Sequence, residues 1–325
     1  MTLPLTPSPL VGRSPAIEKL RWQIAKAAAS PLPILIEGQT GVGKELVAEA
    51  IHRESRRPGS LVALNVSAIA DTLFEDTFFG HVKGAFTGAL RDHDGVLAEA
   101  HNGTLFLDEI STLAPTTQAK LLRVVETRRF RPLGARHDRT SNFRLVAATN
   151  QPIAGLVTAG LFRDDLAHRL TGLTLRVPPL KERLDDVSML ATHFAEQFAS
   201  QGGRFARLAD SAVAALEEYE WPGNVRELRA VIEVAITMSE SALVTRQDIS
   251  ALLADRRRAT AVDEESEGQR RRLMELLVRH EWDTSAVALE LGVDRGTVYR
   301  WLRSLGIPTL RRRARGSGTT SVAFG

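Results

Sequence analysis

The chain has 325 residues, with 43% hydrophobic and 25% charged side chains and a formal charge of +3. That length gives about two domains plus a small one, and the apolar fraction fills a sizeable core. No run of about 18 apolar residues occurs, so no membrane-spanning helix is predicted; the uncharged, proline-rich start of the chain lacks a signal peptide's basic and apolar parts. Cysteine is absent, which excludes disulfides and cysteine–metal sites and fits a reducing cytoplasm, the expected location. Charge is uneven. Between Asp294 and Gly325 seven arginines face one acid, a net of +6 that leaves −3 for the remainder. An acidic body with a basic end points to nucleic acid at the C-terminus, with a merely solvated tail as the alternative.

In chain order, residues 31–37 (PLPILIE) form a short apolar run before a glycine-rich turn and predict a buried strand. Residues 45–55 have helical spacing. Strands follow at 61–66, 103–107 and 143–148, with helical segments between them. Such alternation predicts an α/β domain with a parallel sheet covered on both faces. After Pro178-Pro179 the segments to about residue 254 read as helical. Trp221-Pro222-Gly223-Asn224 marks a turn before a helix at 225–239. Residues 255–272 are charged and nearly free of large apolar side chains, and read as a linker. A compact helical segment is predicted at 273–305, and residues 311–325 look disordered. The expected division is a tail at 1–9, a nucleotide-binding subdomain at 10–179, a helical lid at 180–254, a linker at 255–269, a DNA-binding domain at 270–310 and a basic tail at 311–325.

Gly38-Gln39-Thr40-Gly41-Val42-Gly43-Lys44-Glu45 follows a strand and opens a helix, the context a phosphate-binding loop requires. Its glycines let backbone N–H groups face phosphates, the helix start adds positive potential, and Lys44 supplies a compact charge for the β- and γ-phosphates. Glu45 stands where Ser or Thr usually helps hold magnesium. The second half of the site is Leu105-Phe106-Leu107-Asp108-Glu109, an apolar strand that delivers two acids at its C-terminal end, where α/β sheets place ligands. Asp108 is the candidate for Mg2+ and Glu109 for orienting and polarising the attacking water.

With both halves present, the chain resembles the AAA+ activators of sigma-54 RNA polymerase, the bacterial enhancer-binding proteins. The carrying residues are Gly84-Ala85-Phe86-Thr87-Gly88-Ala89, that family's GAFTGA signature, placed between the two ATP motifs. Phe79-Gly80-His81, 103–109 (GTLFLDE), Ala148-Thr149-Asn150, 161–170 (LFRDDLAHRL) and 221–228 (WPGNVREL) also match, as does Glu45. The resemblance covers residues 10–254 and the C-terminal segment. It implies a AAA+ P-loop NTPase module with a helical lid, a ring of identical subunits, expected to be hexameric, and ATP with Mg2+ as ligands. By resemblance, Asn65 is the switch residue that holds Glu109, Thr149 and Asn150 read the γ-phosphate, Arg163 and Arg169 are fingers donated to a neighbouring subunit, and Arg226 reaches the nucleotide from the lid. Arginine suits these tasks because it stays charged and binds phosphate oxygens bidentately.

The glycines flanking Phe86-Thr87 let the backbone bend and lift an aromatic ring outward, costly unless a partner covers it. That partner, by resemblance, is sigma-54 polymerase. Val82 departs from the family's usual Glu, which puts the link between nucleotide state and loop in question. Residues 128–142 are expected to form a neighbouring hairpin loop.

At the C-terminal end, Val287, Ala288 and Leu291 precede Gly292, and Asp294 can cap a second helix carrying Val298, Trp301 and Leu302. The pattern is that of a helix-turn-helix and resembles the Fis-type domain of many sigma-54 activators. Arg295, Gly296, Thr297, Tyr299 and Arg300 would lie on or near the groove-facing side of double-stranded DNA upstream of promoters, with Arg303 and the arginines of 311–315 on phosphates; a dimerising bundle without DNA is the alternative. Two other functions stand beside the activator: a DNA-binding repressor or sigma-70 regulator with a degenerate ATPase module, which the intact GAFTGA speaks against, and a AAA+ ATPase for another client, such as a chelatase-like one, which the helix-turn-helix speaks against. The chain begins near Leu10-Val11-Gly12-Arg13, where the family's ATPase module begins, so no N-terminal regulatory domain is expected and control falls to expression level or to a regulatory protein acting in trans, or is absent.

Overall fold

The computed structural model describes residues 10–280 and 282–307 and divides into two compact units, 1–250 and 251–325. Helix α1 (Pro15–Ala28) opens the first unit, capped by the Ser14 side chain with Pro15 in its first turn. Strand β1 (Ile34–Glu37), helix α2 (Lys44–Ser55), strand β2 (Leu61–Asn65), helices α3 (Asp71–Phe79) and α4 (Gly95–Glu99), and strand β3 (Thr104–Asp108) follow. Helix α5 (Pro115–Thr127) leads into a hairpin of two short strands, β4 (Arg129–Phe130) and β5 (Arg139–Thr140). Strand β6 (Arg144–Thr149), helices α6 (Ile153–Thr158) and α7 (Asp164–Leu170), and strand β7 (Leu173–Arg176) complete the α/β part.

The sheet is parallel in the order β2-β3-β6-β1-β7. β6 is buried at every position and β3 at all but its last, the continuous burial expected of strands covered on both faces. One core cluster joins Leu35, Leu105, Leu107 and Leu145 to Phe74, Phe78 and Leu166, and the other joins Ile34, Ile36, Phe106 and Val146 to Ile17, Leu20, Val47 and Ile51. Parallel register brings the strand ends to one edge: Asn65 beside Asp108, and Thr149 and Arg176 on either side of Glu37. Strand β7 was not predicted. Its run Leu-Thr-Leu-Arg is too short and mixed to stand out, and its pairing with β1 is what makes it a strand. At the opposite edge Arg144, 4% exposed, donates from Nη1 to the Ala28 carbonyl at 2.7 Å, satisfying the carbonyl end of α1.

The lid contains α8 (Val187–Ser200), α9 (Asp210–Glu217) and α10 (Asn224–Met238), with two-residue strands β8 (Arg207–Leu208) and β9 (Leu243–Val244) paired in parallel. Trp221 is 1% exposed; its Nε1–H donates to the Leu216 carbonyl at 2.9 Å and its ring meets Tyr219 edge-on. Truncating such a side chain costs about 3–5 kcal/mol. Helix α11 (Arg246–Arg279) begins in the first unit and ends in the second. The stretch read as a linker is therefore helical in backbone, although its composition offers little to bury.

In the second unit α12 (Thr284–Leu291) is capped by Asp283 and ended by Gly292 at φ +66°, and α13 (Arg295–Ser304) is capped by Asp294, whose Oδ1 accepts the Thr297 amide at 3.0 Å. Leu273, Leu276, Leu277, Val287, Ala288, Val298, Leu302 and Ile307 form its core. The tails at 1–9 and 311–325, with the arginines of 311–315, lie outside the described residues. Among those described, no helix is long and apolar enough to cross a membrane.

Candidate functional site

The loop after β1 turns back at two glycines in the left-handed region, Gly41 at φ +79° and Gly43 at φ +100°. A Cβ on Gly41 would lie 2.4 Å from the Gly223 carbonyl oxygen, so only glycine fits there. The Gly38 amide donates to the Thr149 carbonyl at 3.1 Å, fastening the loop to the sheet edge. Gly43 caps α2 without a side-chain hydrogen bond, which leaves the first-turn amides and the positive helix end for an anion. Lys44 is 7% exposed, and its Nζ donates to the carbonyls of Gly38 at 3.0 Å and Gln39 at 3.4 Å. The Glu109 carboxylate lies 3.7 Å from the same nitrogen. A buried ammonium at an uncapped helix start, over a loop narrowed to glycine, fits a polyphosphate. Glu45 is exposed at the outer side of the same turn.

Glu109 follows β3 at φ +56° and ψ +44°. A left-handed backbone costs a non-glycine residue about 1–2 kcal/mol, and such strain gathers at working sites. Asp108 Oδ1 accepts the Glu109 amide at 3.0 Å. Asp108 brings to the end of β3 an oxygen donor of the kind magnesium takes; among the described residues no three His, Cys, Asp or Glu side chains gather to hold a metal.

The residues assigned by resemblance fall in several places. Asn65 lies beside Asp108, and its Oδ1 accepts the Ser67 amide at 3.0 Å and the Ser67 hydroxyl at 2.7 Å, capping a short 3-10 turn. Thr149 is fully buried, and its hydroxyl both donates to the Gln151 carbonyl at 2.8 Å and accepts the Gln151 amide at 3.1 Å. That hydroxyl is committed to its own turn, which leaves Asn150, exposed at the strand end, as the side chain open to a ligand. Arg226 is exposed on the first turn of α10, and its amide donates to the Gly41 carbonyl at 3.1 Å. Arg163 and Arg169 bracket α7 on the surface. Asp165 holds the Arg163 guanidinium through Nε at 3.0 Å and Nη2 at 2.7 Å, a hydrogen-bonded pairing that raises the arginine's pKa. Arg169 reaches Glu126 at 3.1 Å. Neither belongs to the cluster around Lys44.

Sequence reasoning missed three supporting residues. Gln118, wholly buried, holds the Arg163 amide through Oε1 at 2.8 Å while its amide group reaches the Leu113 and Leu161 carbonyls. Asn224, also wholly buried, and Arg183, 4% exposed, bond to the phosphate loop. Asn224 stands inside the WPGNVREL match and could have been found there; Arg183 carried no signal of its own.

Residues 84–89 form a closed turn away from the phosphate loop in sequence. The Gly84 amide donates to the Ala89 carbonyl at 2.9 Å, and the Ala89 amide to Phe86 at 3.1 Å. Gly84 at φ +82° and Gly88 at φ +104° make the bends, and a Cβ on either would meet nothing within 4 Å. Thr87 is exposed, Ala89 is buried, and Phe86 is 46% exposed with its ring edge-on to His81 at 4.9 Å between centroids. The hairpin tip packs on the base of this loop: Val82 donates its amide to the Leu133 carbonyl at 3.0 Å, and Leu133 donates to Gly80 at 2.8 Å. Val82 takes part through its backbone, whose carbonyl also accepts the Ala85 amide at 3.1 Å.

In the second unit, the exposed side of α13 carries Arg295, Gly296, Tyr299, Arg300 and Arg303, while Thr297 is half-buried. Arg295 lies over the Tyr299 ring and donates to its hydroxyl at 3.1 Å. Arg300 donates to the Thr297 hydroxyl at 2.8 Å. Hydrogen bonds from Thr284 and Arg295 lower the Tyr299 pKa.

A family model described as the sigma-54 interaction domain matches residues 10–176, more than half of the chain, and one described as the AAA+ ATPase lid domain matches residues 181–266. The transcriptional regulator VasH of Vibrio cholerae is 47% identical over 226 residues, covering 69% of this chain and 43% of that protein. The regulatory protein AtoC of Escherichia coli is 36% identical over 312 residues, covering 92% of this chain and 68% of that one. Among solved structures, NtrX from Brucella abortus in complex with ADP aligns with a TM-score of 0.69 at 32% identity, covering 91% of this chain and 69% of that one. With a parallel-sheet nucleotide fold, a lid and these relatives, the chain belongs to the AAA+ transcriptional regulators that carry the sigma-54 interaction domain.

Proposed function

We propose that the chain is a sigma-54-dependent transcriptional activator that hydrolyses ATP to ADP and phosphate in a ring of identical subunits, six by resemblance, and spends that energy on opening polymerase–promoter complexes. The observation that carries the proposal is the pairing of two separate devices in one chain: Lys44 and Glu109 poised at a glycine-bound phosphate loop, and a closed glycine turn that exposes Phe86 and Thr87.

The phosphate loop and Lys44 bind and neutralise the β- and γ-phosphates. Asp108 holds magnesium, which when bound offsets charge on the phosphate oxygens. Glu109 orients the attacking water and accepts its proton, held off by Asn65 until the site is complete. Asn150, with Thr149 shaping its turn, reads the γ-phosphate. Arg163 and Arg169 stand on the surface, free of the Lys44 cluster, as arginines donated to the next subunit's site should; there they stabilise transition-state charge. Arg226 completes the site from the lid. Residues 84–89 contact sigma-54.

The helix pair α12–α13 is proposed as a Fis-type helix-turn-helix that anchors the ring to double-stranded DNA upstream of the promoter. The uncovered row of Arg295, Tyr299, Arg300 and Arg303 supports that reading. The test is reconstitution. Purified chain, sigma-54 polymerase and a sigma-54 promoter should yield open complexes with ATP and none with a non-hydrolysable analogue. ATP hydrolysis without open complexes, on several sigma-54 promoters, would overturn the activator reading.

A further inference from the structure

Three successive carbonyls of the phosphate loop are held by three donors from the lid. Asn224 Nδ2 donates to the Thr40 carbonyl at 3.1 Å, the Arg226 amide to Gly41 at 3.1 Å, and Arg183 Nη2 to Val42 at 3.2 Å. In a trans peptide the C=O and the following N–H point in opposite directions. Pinning the carbonyls of 40, 41 and 42 toward the lid therefore turns the amides of 41, 42 and 43 the other way, toward the anion the loop would cradle.

The donors are themselves firmly set. Asn224 adopts φ +53°, is wholly buried, and accepts the Leu180 amide on Oδ1 at 2.8 Å while Nδ2 also meets Gln39 Oε1 at 3.1 Å. Arg183 is a buried cation whose Nε finds no hydrogen-bond partner, a costly placement that calls for a compensating role. Residues 180–183, where the chain enters the lid, and 222–226, where α10 begins, thus converge on the same loop.

We propose that Arg183 and Asn224 are positioning residues that shape the phosphate-binding loop from the lid, so that affinity for the nucleotide's β-phosphate depends on where the lid sits. This rests on the nucleotide reading of the loop. A lid that shifts releases three carbonyls together, and by linkage a bound diphosphate favours the lid position that keeps them.

The test uses the full chain and calorimetric titration with ADP, with adenosine as a competitor that lacks phosphate. Asn224→Gly suits the positive φ and removes the amide donor; Arg183→Met removes the guanidinium at similar length. Each variant should raise the ADP dissociation constant at least tenfold while the inhibition constant of adenosine stays within about twofold of wild type. Arg183→Lys, which keeps a cation and a donor where Met is not tolerated, should fall between Met and wild type. Folded variants that bind ADP as wild type does would overturn the proposal, and so would equal losses for ADP and adenosine, which mark general damage to the lid. If wild type binds no ADP, or Lys44→Ala leaves binding unchanged, the nucleotide reading itself fails.

Discussion

Gly134→Ala tests whether the hairpin tip seats the 84–89 loop. Gly134 has φ +73°, and a Cβ there would lie 2.8 Å from Ala85 Cβ, 3.0 Å from Ala85 Cα and 3.2 Å from Val82 Cγ2. The left-handed backbone costs alanine about 1–2 kcal/mol, and overpacking adds about 1–3 kcal/mol. What holds the two loops together is no larger than that overpacking: the bonds from Val82 to Leu133 and from Leu133 to Gly80 contribute together about 1–3 kcal/mol net. The loops should therefore part, which relieves the overpacking but not the backbone cost, since the Ala135 amide bond to the Pro132 carbonyl keeps the turn at Gly134; the loss of stability is about 2–5 kcal/mol. For a unit of this size the thermal midpoint should then fall by about 4–20 °C. Lys44 and Glu109 stand outside this contact, so ADP affinity should stay near wild type while open-complex formation on a sigma-54 promoter falls at least about tenfold. A variant that opens the promoter as wild type does would refute the seating argument, and one that loses ADP binding in parallel would show the damage to be general.

Glu109→Gln should bind ATP and assemble but hydrolyse it very slowly in a phosphate-release assay; near-normal turnover removes Glu109 from the catalytic role. Arg163→Ala should lose ATPase while keeping mononucleotide binding, and mixing it with Lys44→Ala should restore part of the activity, because some interfaces then join an intact loop to an intact finger. No recovery at any ratio, with co-assembly shown, counts against donation in trans. Arg295→Ala should cost about 1–3 kcal/mol of discrimination on a duplex selected from random sequence by the wild-type chain; unchanged binding by gel shift at several salt concentrations contradicts the DNA-reading role of α13.

Much of the fold was legible because its strands are short apolar runs between punctuating glycines. β1, β3 and β6 were each placed within three residues of their observed ends, and α12 ends at Gly292, the glycine that its apolar residues were read as preceding. β7 was missed because its strand character comes from pairing with β1, and the backbone helix through 255–269 was missed because charge composition does not distinguish a charged helix from a linker. The site was legible where chemistry is concentrated in contiguous residues, as at 38–45, 84–89 and 108–109. It was not legible where a role depends on tertiary placement. Nothing local shows that Arg183 reaches the Val42 carbonyl 141 residues away, that Gln118 holds the Arg163 amide, or that the Thr149 hydroxyl turns back onto Gln151.

The most direct test of the central claim is Thr87→Ala. Thr87 is exposed in a turn whose hydrogen bonds are made by backbone groups of Gly84, Phe86 and Ala89, so its hydroxyl serves neither that turn nor the cluster around Lys44. The measurement is open-complex formation on a sigma-54 promoter, scored beside ATPase and DNA binding in the same preparation, with sigma-54 capture by the ADP–metal-fluoride-trapped ring as a second readout. The account predicts ATPase and DNA binding retained, promoter opening abolished, and sigma-54 captured by wild type alone. A Thr87→Ala protein that opens the promoter as wild type does would contradict it.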